Sequence, residues 1–229
     1  MRLRLLSVPV AAAALLILAG CATGTSGAGS AAAPAPAQSS ASAQANGACD
    51  YPAAAGAAKD VEAPPTEPTE TGQVKAVIHT SVGDIGVTLA ANTAPCTVNS
   101  FLSLAKQGYF DDTSCHRLTT SGIRVLQCGD PTGKGTGGPG YTIPDELSGS
   151  ETYPVGTLAM AKTTAPNSGG SQFFLVWGDT PLPPEYTVFG MMDEAGIAAV
   201  QKVGEAGTAD GGADGAPKTP VTITGVTIG

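Results

Sequence analysis

The distribution of aromatic residues most constrains what this chain can fold into. Ten of the eleven aromatic side chains in the 229 residues lie beyond residue 100, and Tyr51 is the exception. The earlier part of the chain is rich in alanine but carries little material for a close-packed core. Few aromatic and few charged residues also exclude a coiled coil. We therefore expect the folded core in the C-terminal part.

Residues 1–20 have the tripartite form of a signal peptide. Arg2 and Arg4 precede an apolar run over residues 5–18, which is shorter than a membrane span requires. The run ends in Leu18-Ala19-Gly20-Cys21, which resembles the lipobox of bacterial lipoproteins. This resemblance implies lipidation of Cys21 and an extracytoplasmic protein that is lipid-anchored to the bacterial cell membrane. The alternatives are an ordinary cleavage site and a transmembrane anchor.

Residues 21–73 are interpreted as a disordered tether that follows the lipidated cysteine. Residues 22–48 contain only Ala, Gly, Ser, Thr, Pro, Gln and Asn, and such a composition cannot bury enough surface to offset its ordering entropy. As a flexible coil, the tether would hold the next domain roughly 40 Å from the membrane. Cys49 and Tyr51 stand out from this sequence, and they would allow docking onto the folded domain.

Residues 74–229 are long enough for one compact domain. Residues 74–79 and 84–89 predict a β-hairpin. Apolar residues at Val98, Phe101, Leu102 and Ala105 predict a helix of about fourteen residues, with Asn92 or Thr93 as its N-cap. A short helix is expected at residues 196–203. Further strands are expected at residues 125–127, 158–161, 173–176, 187–190 and 221–228. Many short strands with two helices favour a mainly β barrel or sandwich.

Several function classes are disfavoured by composition or spacing. Acidic residues outnumber basic ones by 19 to 11, so nucleic-acid binding lacks its electrostatic footprint. Residues 133–138 match the letters of a dinucleotide fingerprint, but prolines flank them and no helix follows, so we interpret them as a surface loop. The chain has no nucleophile elbow of a hydrolase and no zinc-ligand spacing. We expect no metal and no cofactor.

Five short motifs carry most of the functional information. In chain order they are Cys115-His116-Arg117-Leu118, Val125-Leu126-Gln127-Cys128-Gly129-Asp130, Gly135-Thr136-Gly137-Gly138, Leu158-Ala159-Met160-Ala161 and Gly170-Ser171-Gln172-Phe173-Phe174. This ordered set resembles the cyclophilin family of peptidyl-prolyl cis-trans isomerases over residues 74–229. The resemblance implies a closed eight-stranded antiparallel β-barrel capped by two α-helices, with the active site on its outer face.

The resemblance also implies roles for individual residues. Arg117 would be the catalytic arginine. The substrate groove would be formed by His116, Val125, Gln127, Met160, Ala161, Lys162, Gln172, Phe174, Leu182 and Tyr186. Phe174 and Leu182 would line the proline pocket, and residues 160–162 would offer backbone groups to the residue before proline. Tyr186 stands where the family usually has a histidine.

These residue types suit rotation about an X-Pro bond, which needs no covalent step. The uncatalysed barrier is about 20 kcal/mol because rotation breaks amide resonance. In the twisted amide the proline nitrogen regains a lone pair, so a fixed guanidinium such as Arg117 would gain an acceptor mainly in the transition state. An apolar pocket would hold the pyrrolidine ring while the carbonyl side rotates.

Two departures from the family pattern affect the pocket. The segment from Arg117 to Gln127 is about two residues longer than usual and lacks the usual phenylalanine, so Val125 or Ile123 would take its place with less contact area. Pro181 occupies the position of a tryptophan that contacts cyclosporin in many relatives. We therefore expect weak cyclosporin binding.

Export permits disulfides among Cys49, Cys96, Cys115 and Cys128. If Arg117 and Gln127 face each other across a hairpin, Cys115 and Cys128 are offset by one residue and point to opposite faces. This register disfavours a Cys115 to Cys128 bridge and makes pairing of Cys49 with a domain cysteine attractive. Buried free thiols are the alternative.

The sequence thus predicts a monomeric, lipid-anchored prolyl isomerase that acts on Pro-containing segments of exported proteins. The alternative from a different class is a module that binds Pro-containing segments with little turnover. A purely structural surface lipoprotein is a third possibility.

Overall fold

The computed structural model describes residues 47–229, so the predicted signal peptide and Cys21 lie outside the described part. This part of the chain contains ten strands and two helices. In order they are β1 (Gln73–Thr80), β2 (Ile85–Ala90), α1 (Pro95–Lys106), β3 (Thr113–Ser114), β4 (Arg117–Thr119), β5 (Val125–Cys128), β6 (Thr157–Met160), β7 (Phe173–Val176), β8 (Val188–Met192), α2 (Glu194–Ala206), β9 (Asp214–Gly215) and β10 (Thr222–Ile228).

The ten strands form one antiparallel sheet in the order β3-β10-β1-β2-β8-β6-β7-β5-β4-β9. The predicted hairpin is present as β1 and β2, with Ala76 opposite Val87. Strand β4 pairs with β5 so that Arg117 lies opposite Gln127, as the sequence suggested. The fold is therefore mainly β with two helices. The sheet has ten strands rather than eight because β3 and β9 add two-residue strands.

One face of the sheet is packed into the main hydrophobic core. Along β1 and β2 every second side chain is buried, which is the period of a half-buried strand. Phe101 of α1 lies at the centre of this core, with its ring centroid 5.1 Å from that of Phe110, 5.7 Å from Phe173 and 5.6 Å from Phe189. The aromatic residues beyond residue 100 thus do build the core.

Helix α1 is capped by a residue from a distant segment. The predicted N-cap residues, Asn92 and Thr93, do not serve, since Ala94 is the N-cap and makes no side-chain capping bond. The carboxylate of Glu146 accepts hydrogen bonds from the backbone N–H groups of Cys96 at 2.8 Å and Thr97 at 2.9 Å. These are N–H groups that the helix itself leaves unpaired, and a negative charge is favourable at this end.

The N-terminal segment, residues 47–72, is docked on the domain. The prediction that residues 21–73 are one disordered tether is therefore wrong for this part. Tyr51 donates to the carbonyl of Cys96 at 3.0 Å, and Asn99 of α1 donates to the Tyr51 hydroxyl at 2.9 Å. Lys59 donates to the carbonyl of Asp111 at 2.8 Å. A disulfide from Cys49 and the contacts of Tyr51 hold this segment, so the two residues that stood out in the sequence are the ones that dock.

Both pairs of the four described cysteines form disulfides. Cys49 is bonded to Cys96, which confirms that Cys49 pairs with a domain cysteine. Cys115 is bonded to Cys128, so the expectation that register disfavours this bridge is wrong. Cys115 lies between β3 and β4, outside the ladder that pairs Arg117 with Gln127. Strand alternation therefore does not fix the direction of its side chain.

Candidate active site

A cavity of about 190 Å³ opens on the outer face of the sheet, beside β4, β5 and β7. It combines an apolar wall with polar side chains at its rim. Its lining residues are Arg117, Ile123, Val125, Gln127, Ala161, Lys162, Phe174, Leu182 and Tyr186. All of these except Ile123 were predicted as site residues, and Ile123 was one of two candidates to replace the missing phenylalanine.

Strand alternation places the lining residues on the face away from the main core. On β7, Phe173 joins the main core whereas Phe174 belongs to a second, smaller cluster. On β5, Leu126 points inward whereas Val125 belongs to the same second cluster. Neighbouring residues of one strand therefore belong to two different hydrophobic clusters, one on each side of the sheet. The second cluster forms the floor of the cavity.

Arg117 is held from two sides. Its Nε and Nη2 donate to the two carboxylate oxygens of Asp214 at 2.8 and 2.7 Å. Its Nη1 donates to Oε1 of Gln127 at 3.2 Å. Gln127 in turn donates to Oε1 of Gln172 at 2.9 Å, and Gln172 donates to the carbonyl of Gly137 at 2.9 Å. A continuous hydrogen-bonded chain thus runs along the cavity rim.

The ion pair between Arg117 and Asp214 stabilises the charged form of both side chains. Hydrogen bonding to Asp214 raises the pKa of Arg117, and the hydrogen bond from Arg117 holds the pKa of Asp214 below its usual range. The guanidinium is therefore always charged and the carboxylate is ionised at neutral pH. Asp214 lies in the two-residue strand β9 and belongs to no motif, so sequence reasoning missed it.

Three aromatic rings build the apolar wall. The rings of Phe174 and Tyr186 are 5.5 Å apart in an edge arrangement, and Tyr153 lies 6.3 Å from Phe174 and 6.2 Å from Tyr186. The Tyr153 hydroxyl accepts from the backbone N–H of Tyr186 at 2.9 Å and lies within hydrogen-bonding distance of the Pro183 and Tyr186 carbonyls. Tyr153 was also missed, because it lies in an irregular segment between the motifs.

The longer turn between β4 and β5 is anchored rather than loose. The Thr119 hydroxyl accepts from the N–H of Val125 at 3.1 Å, and the guanidinium of Arg124 lies 5.8 Å from the centre of the Trp177 ring. Ile123 and Val125 consequently both line the cavity. These are the two residues that the sequence offered in place of the missing phenylalanine.

Lys162 has two partners beside the cavity. Its ammonium lies 4.0 Å from the carboxylate of Asp145 and 5.8 Å from the centre of the Tyr186 ring. Both members of the Lys162–Asp145 pair are largely buried. The cavity is therefore lined by a second cation besides Arg117.

Three predicted site residues do not line this cavity. The Met160 side chain belongs to the main core, and its N–H donates to the carbonyl of Thr187 at 2.9 Å. Gln172 lines an adjoining cavity instead. Neither ring nitrogen of His116 has a hydrogen-bond partner within residues 47–229, and both are buried.

The adjoining cavity has a volume of about 460 Å³. Gln127, Ala161 and Lys162 line both cavities, and Ala54 and Ala55 of the N-terminal segment form part of the wall of the second. The glycine-rich loop at residues 133–138 forms another part. This loop is held by Asp130, whose carboxylate accepts from Thr136 and Gly137 N–H groups at 3.0 Å each.

Asp130 remains ionised although its side chain is buried. Burial raises its pKa, but hydrogen bonds from Gly137 and Thr132 outweigh this and hold the pKa below its usual value. Within residues 47–229, no group of three or more His, Cys, Asp or Glu side chains is gathered as a metal site. The helices of this described part are too short or too polar to cross a bilayer.

The chain is similar to known proteins over most of its length. A family model described as "Cyclophilin type peptidyl-prolyl cis-trans isomerase/CLD" matches residues 75–228. The chain is 50% identical over 196 residues to a probable peptidyl-prolyl cis-trans isomerase B of Mycobacterium tuberculosis, and 50% identical over 191 residues to that of Mycobacterium leprae. These matches cover 79% and 76% of this chain, but only 63% and 64% of the relatives' own length.

Solved structures show the same architecture. A cyclophilin-type peptidyl-prolyl cis-trans isomerase of Cryptosporidium parvum superposes with a TM-score of 0.61 at 29% identity, covering 69% of this chain and 98% of that one. The fold, the ordered motifs and the family match agree. The chain belongs to the cyclophilin-type peptidyl-prolyl cis-trans isomerase family.

Proposed function

We propose that the chain is a peptidyl-prolyl cis-trans isomerase that catalyses rotation about X-Pro bonds without a covalent intermediate, a metal or a cofactor. The observation that carries this proposal is a guanidinium, Arg117, fixed at the rim of an apolar cavity of about 190 Å³. The relatives named as isomerases add support, as does a Cryptosporidium relative solved in the presence of the dipeptide Ala-Pro.

Arg117 supplies the interaction that grows during the reaction. Ground-state amide nitrogen is a poor acceptor because its lone pair is delocalised, whereas the nitrogen of a twisted amide accepts a hydrogen bond. A guanidinium that is already held in place loses little entropy when it donates to that nitrogen. The donor therefore binds the transition state better than either planar isomer, which is the requirement for catalysis.

The apolar wall holds the proline ring. Phe174, Leu182 and Tyr186, together with Ile123 and Val125, present the surface on which a pyrrolidine ring packs. Gln127 and the backbone around Ala161 and Lys162 face the adjoining cavity as well, so the peptide before the proline extends in that direction. No residue of the cavity is required to act as a nucleophile or base.

An NMR exchange assay on an X-Pro peptide tests this function. Wild-type protein should accelerate exchange, and Arg117→Ala should lose about 100-fold or more of that acceleration, as removal of one preorganised donor typically does. Lys202→Ala is the control, because Lys202 is an exposed cation of helix α2 that lines neither cavity. Equal rates for wild type and Arg117→Ala would reject the assigned role.

One observation favours a second candidate, a module that binds Pro-containing segments with little turnover. Ile123 and Val125, which line the cavity in place of the expected phenylalanine, are aliphatic. A bound proline ring would therefore contact less aromatic surface. This module would bind the peptide in an NMR titration while leaving its exchange rate at the uncatalysed value in both wild type and Arg117→Ala.

The proposed setting is the outer face of a bacterial cell membrane, where the protein would act as a monomer on exported clients that contain proline. The apolar run before Cys21 and the lipobox-like sequence support this location. Cys21→Ala should abolish incorporation of labelled palmitate and release the protein from the membrane fraction. Retention of the label by this variant would contradict the proposed anchor.

We also propose that the ten-stranded sheet closes into a barrel. Strand β3 lies at one end of the sheet order and β4 next to the other end, yet only Cys115 and His116 separate them in the chain. The two ends of the sheet are thus drawn together by a two-residue link. Closure removes exposed strand edges, which otherwise invite aggregation.

A further inference from the structure

We propose that Asp214 is a positioning residue for Arg117, and that it sets the plane of the guanidinium against the cavity. This inference rests on the proposed isomerase function, in which Arg117 donates to the twisted amide. It adds a residue from outside the five motifs, contributed by a strand almost one hundred positions further along the chain.

The geometry of the pair fixes an orientation as well as a distance. Both oxygens of Asp214 accept, one from Nε at 2.8 Å and one from Nη2 at 2.7 Å. Two parallel bonds define the guanidinium plane, which a single bond cannot do. Gln127 takes a further N–H on Nη1. Of the five N–H donors of an arginine, one on Nη1 and one on Nη2 therefore stay available to a substrate.

The sheet register explains why the carboxylate reaches this point. Asp214 of β9 lies opposite Thr119 of β4, and Arg117 is two residues before Thr119 on the same face. Asp214 and Arg117 are thus diagonal neighbours across two strands, within reach of long side chains. The Thr120 N–H also donates to the carbonyl of Ala213 at 2.9 Å, so backbone bonds hold β9 in place without the carboxylate.

Exposure separates this role from a purely structural one. The side chains of Arg117 and Asp214 are 40% and 54% exposed. Ion pairs at such positions contribute little to folding stability. An unpaired arginine, by contrast, is free to occupy many rotamers. The pair therefore acts mainly on where the guanidinium points.

Kinetics of the full chain test this role. We expect Asp214→Ala to lower kcat by about tenfold, within the roughly hundredfold that a misplaced catalytic geometry can cost. Asp214→Asn, which keeps one acceptor oxygen, should lose less. Peptide affinity by NMR titration and the midpoint of denaturant unfolding should both stay close to wild type. Asp84→Ala, which removes a hydrogen bond with His79 away from the cavity, should leave kcat unchanged.

Three results would overturn the inference. An unchanged kcat in Asp214→Ala would show that Arg117 is positioned without the carboxylate. A raised kcat would show that Asp214 competes with the substrate for the guanidinium. A fall in kcat that is matched by a fall in stability would show a structural role instead.

A second measurement does not depend on activity. The Nε–H group of Arg117, assigned by its loss in Arg117→Lys, should shift in a nitrogen-15 spectrum and exchange faster with water in Asp214→Ala. An unchanged signal would overturn the positioning role even in a protein that is an active isomerase. A wild-type chain without isomerase activity would reject the proposed function, while this signal would still report whether Asp214 orients Arg117.

Discussion

Strands β5 and β7 have two unlike faces, because neighbouring residues of each strand point to opposite sides of the sheet. Toward the main core, Leu126 and Phe173 are almost fully buried among apolar neighbours. Toward the outside, Gln127 belongs to the chain of hydrogen bonds that runs from Asp214 to Gly137, and Phe174 belongs to a small aromatic cluster. One face holds the sheet together, and the other carries the candidate active site.

This difference indicates how the molecule separates stability from function. Close packing on the inner face makes each buried side chain matter for folding. On the outer face, half-exposed polar groups contribute less to stability, because water competes for their hydrogen bonds. Substitutions on the two faces should therefore have opposite profiles, one in unfolding free energy and one in isomerase rate.

Cys49 of the N-terminal segment belongs to the inner side of this comparison, because it is buried in the main core. Replacing Cys49 and Cys96 together by alanine opens a crosslink between residues 47 positions apart. We expect the free energy of unfolding to fall by about 4 kcal/mol, measured by denaturant titration. Isomerase activity per folded molecule should be retained. A large loss of activity at unchanged stability would show that this disulfide serves the outer face instead.

Tyr153→Phe tests the aromatic cluster on the outer face. The substitution keeps the ring but removes the hydroxyl that binds the backbone of Pro183 and Tyr186. Loosening of the Tyr186 side of the pocket should raise KM about fivefold, the equivalent of one net hydrogen bond of about 1 kcal/mol, while kcat stays near wild type. Steady-state kinetics with an X-Pro peptide would show this, and an unchanged KM would remove Tyr153 from the site.

His116 offers the smallest expected effect, on stability alone. Burial lowers its pKa below 6.5, which Asp130 partly offsets and Arg117 reinforces. The unfolded chain then binds a proton more readily than the folded one below pH 6.5, so stability should fall as the pH drops from 6.5 towards the lowered pKa. His116→Gln should flatten this part of the pH profile of unfolding. Identical profiles for His116→Gln and wild type would contradict the assignment.

The sequence predicted those parts that depend on local pattern. The β1–β2 hairpin followed from alternation, and α1 from apolar spacing that includes Phe101. The motif order located Arg117, Gln127 and Phe174 at one cavity. These features depend on a few neighbouring residues, so they can be read without knowing the rest of the fold.

Features that join distant segments could not be predicted in the same way. Asp214, Tyr153 and Glu146 each act on residues more than thirty positions away and lie in no recognisable pattern. The Cys115–Cys128 disulfide was misjudged because strand alternation was extended to residues before the first residue of β4. Long-range polar contacts and strand ends are set by the whole fold, which a local pattern does not contain.

The adjacent pair Phe173 and Phe174 gives the most direct test of the separation between the two faces. Phe173→Ala should lower the free energy of unfolding by about 3–5 kcal/mol and leave kcat/KM per folded molecule close to wild type. Phe174→Ala removes a ring that is only 5% exposed, so it should also lower stability. It should in addition lower kcat/KM by about tenfold or more, since an apolar contact in a pocket is worth about 1–3 kcal/mol. Both quantities would be measured on both variants. The same profile for the two substitutions would contradict the account.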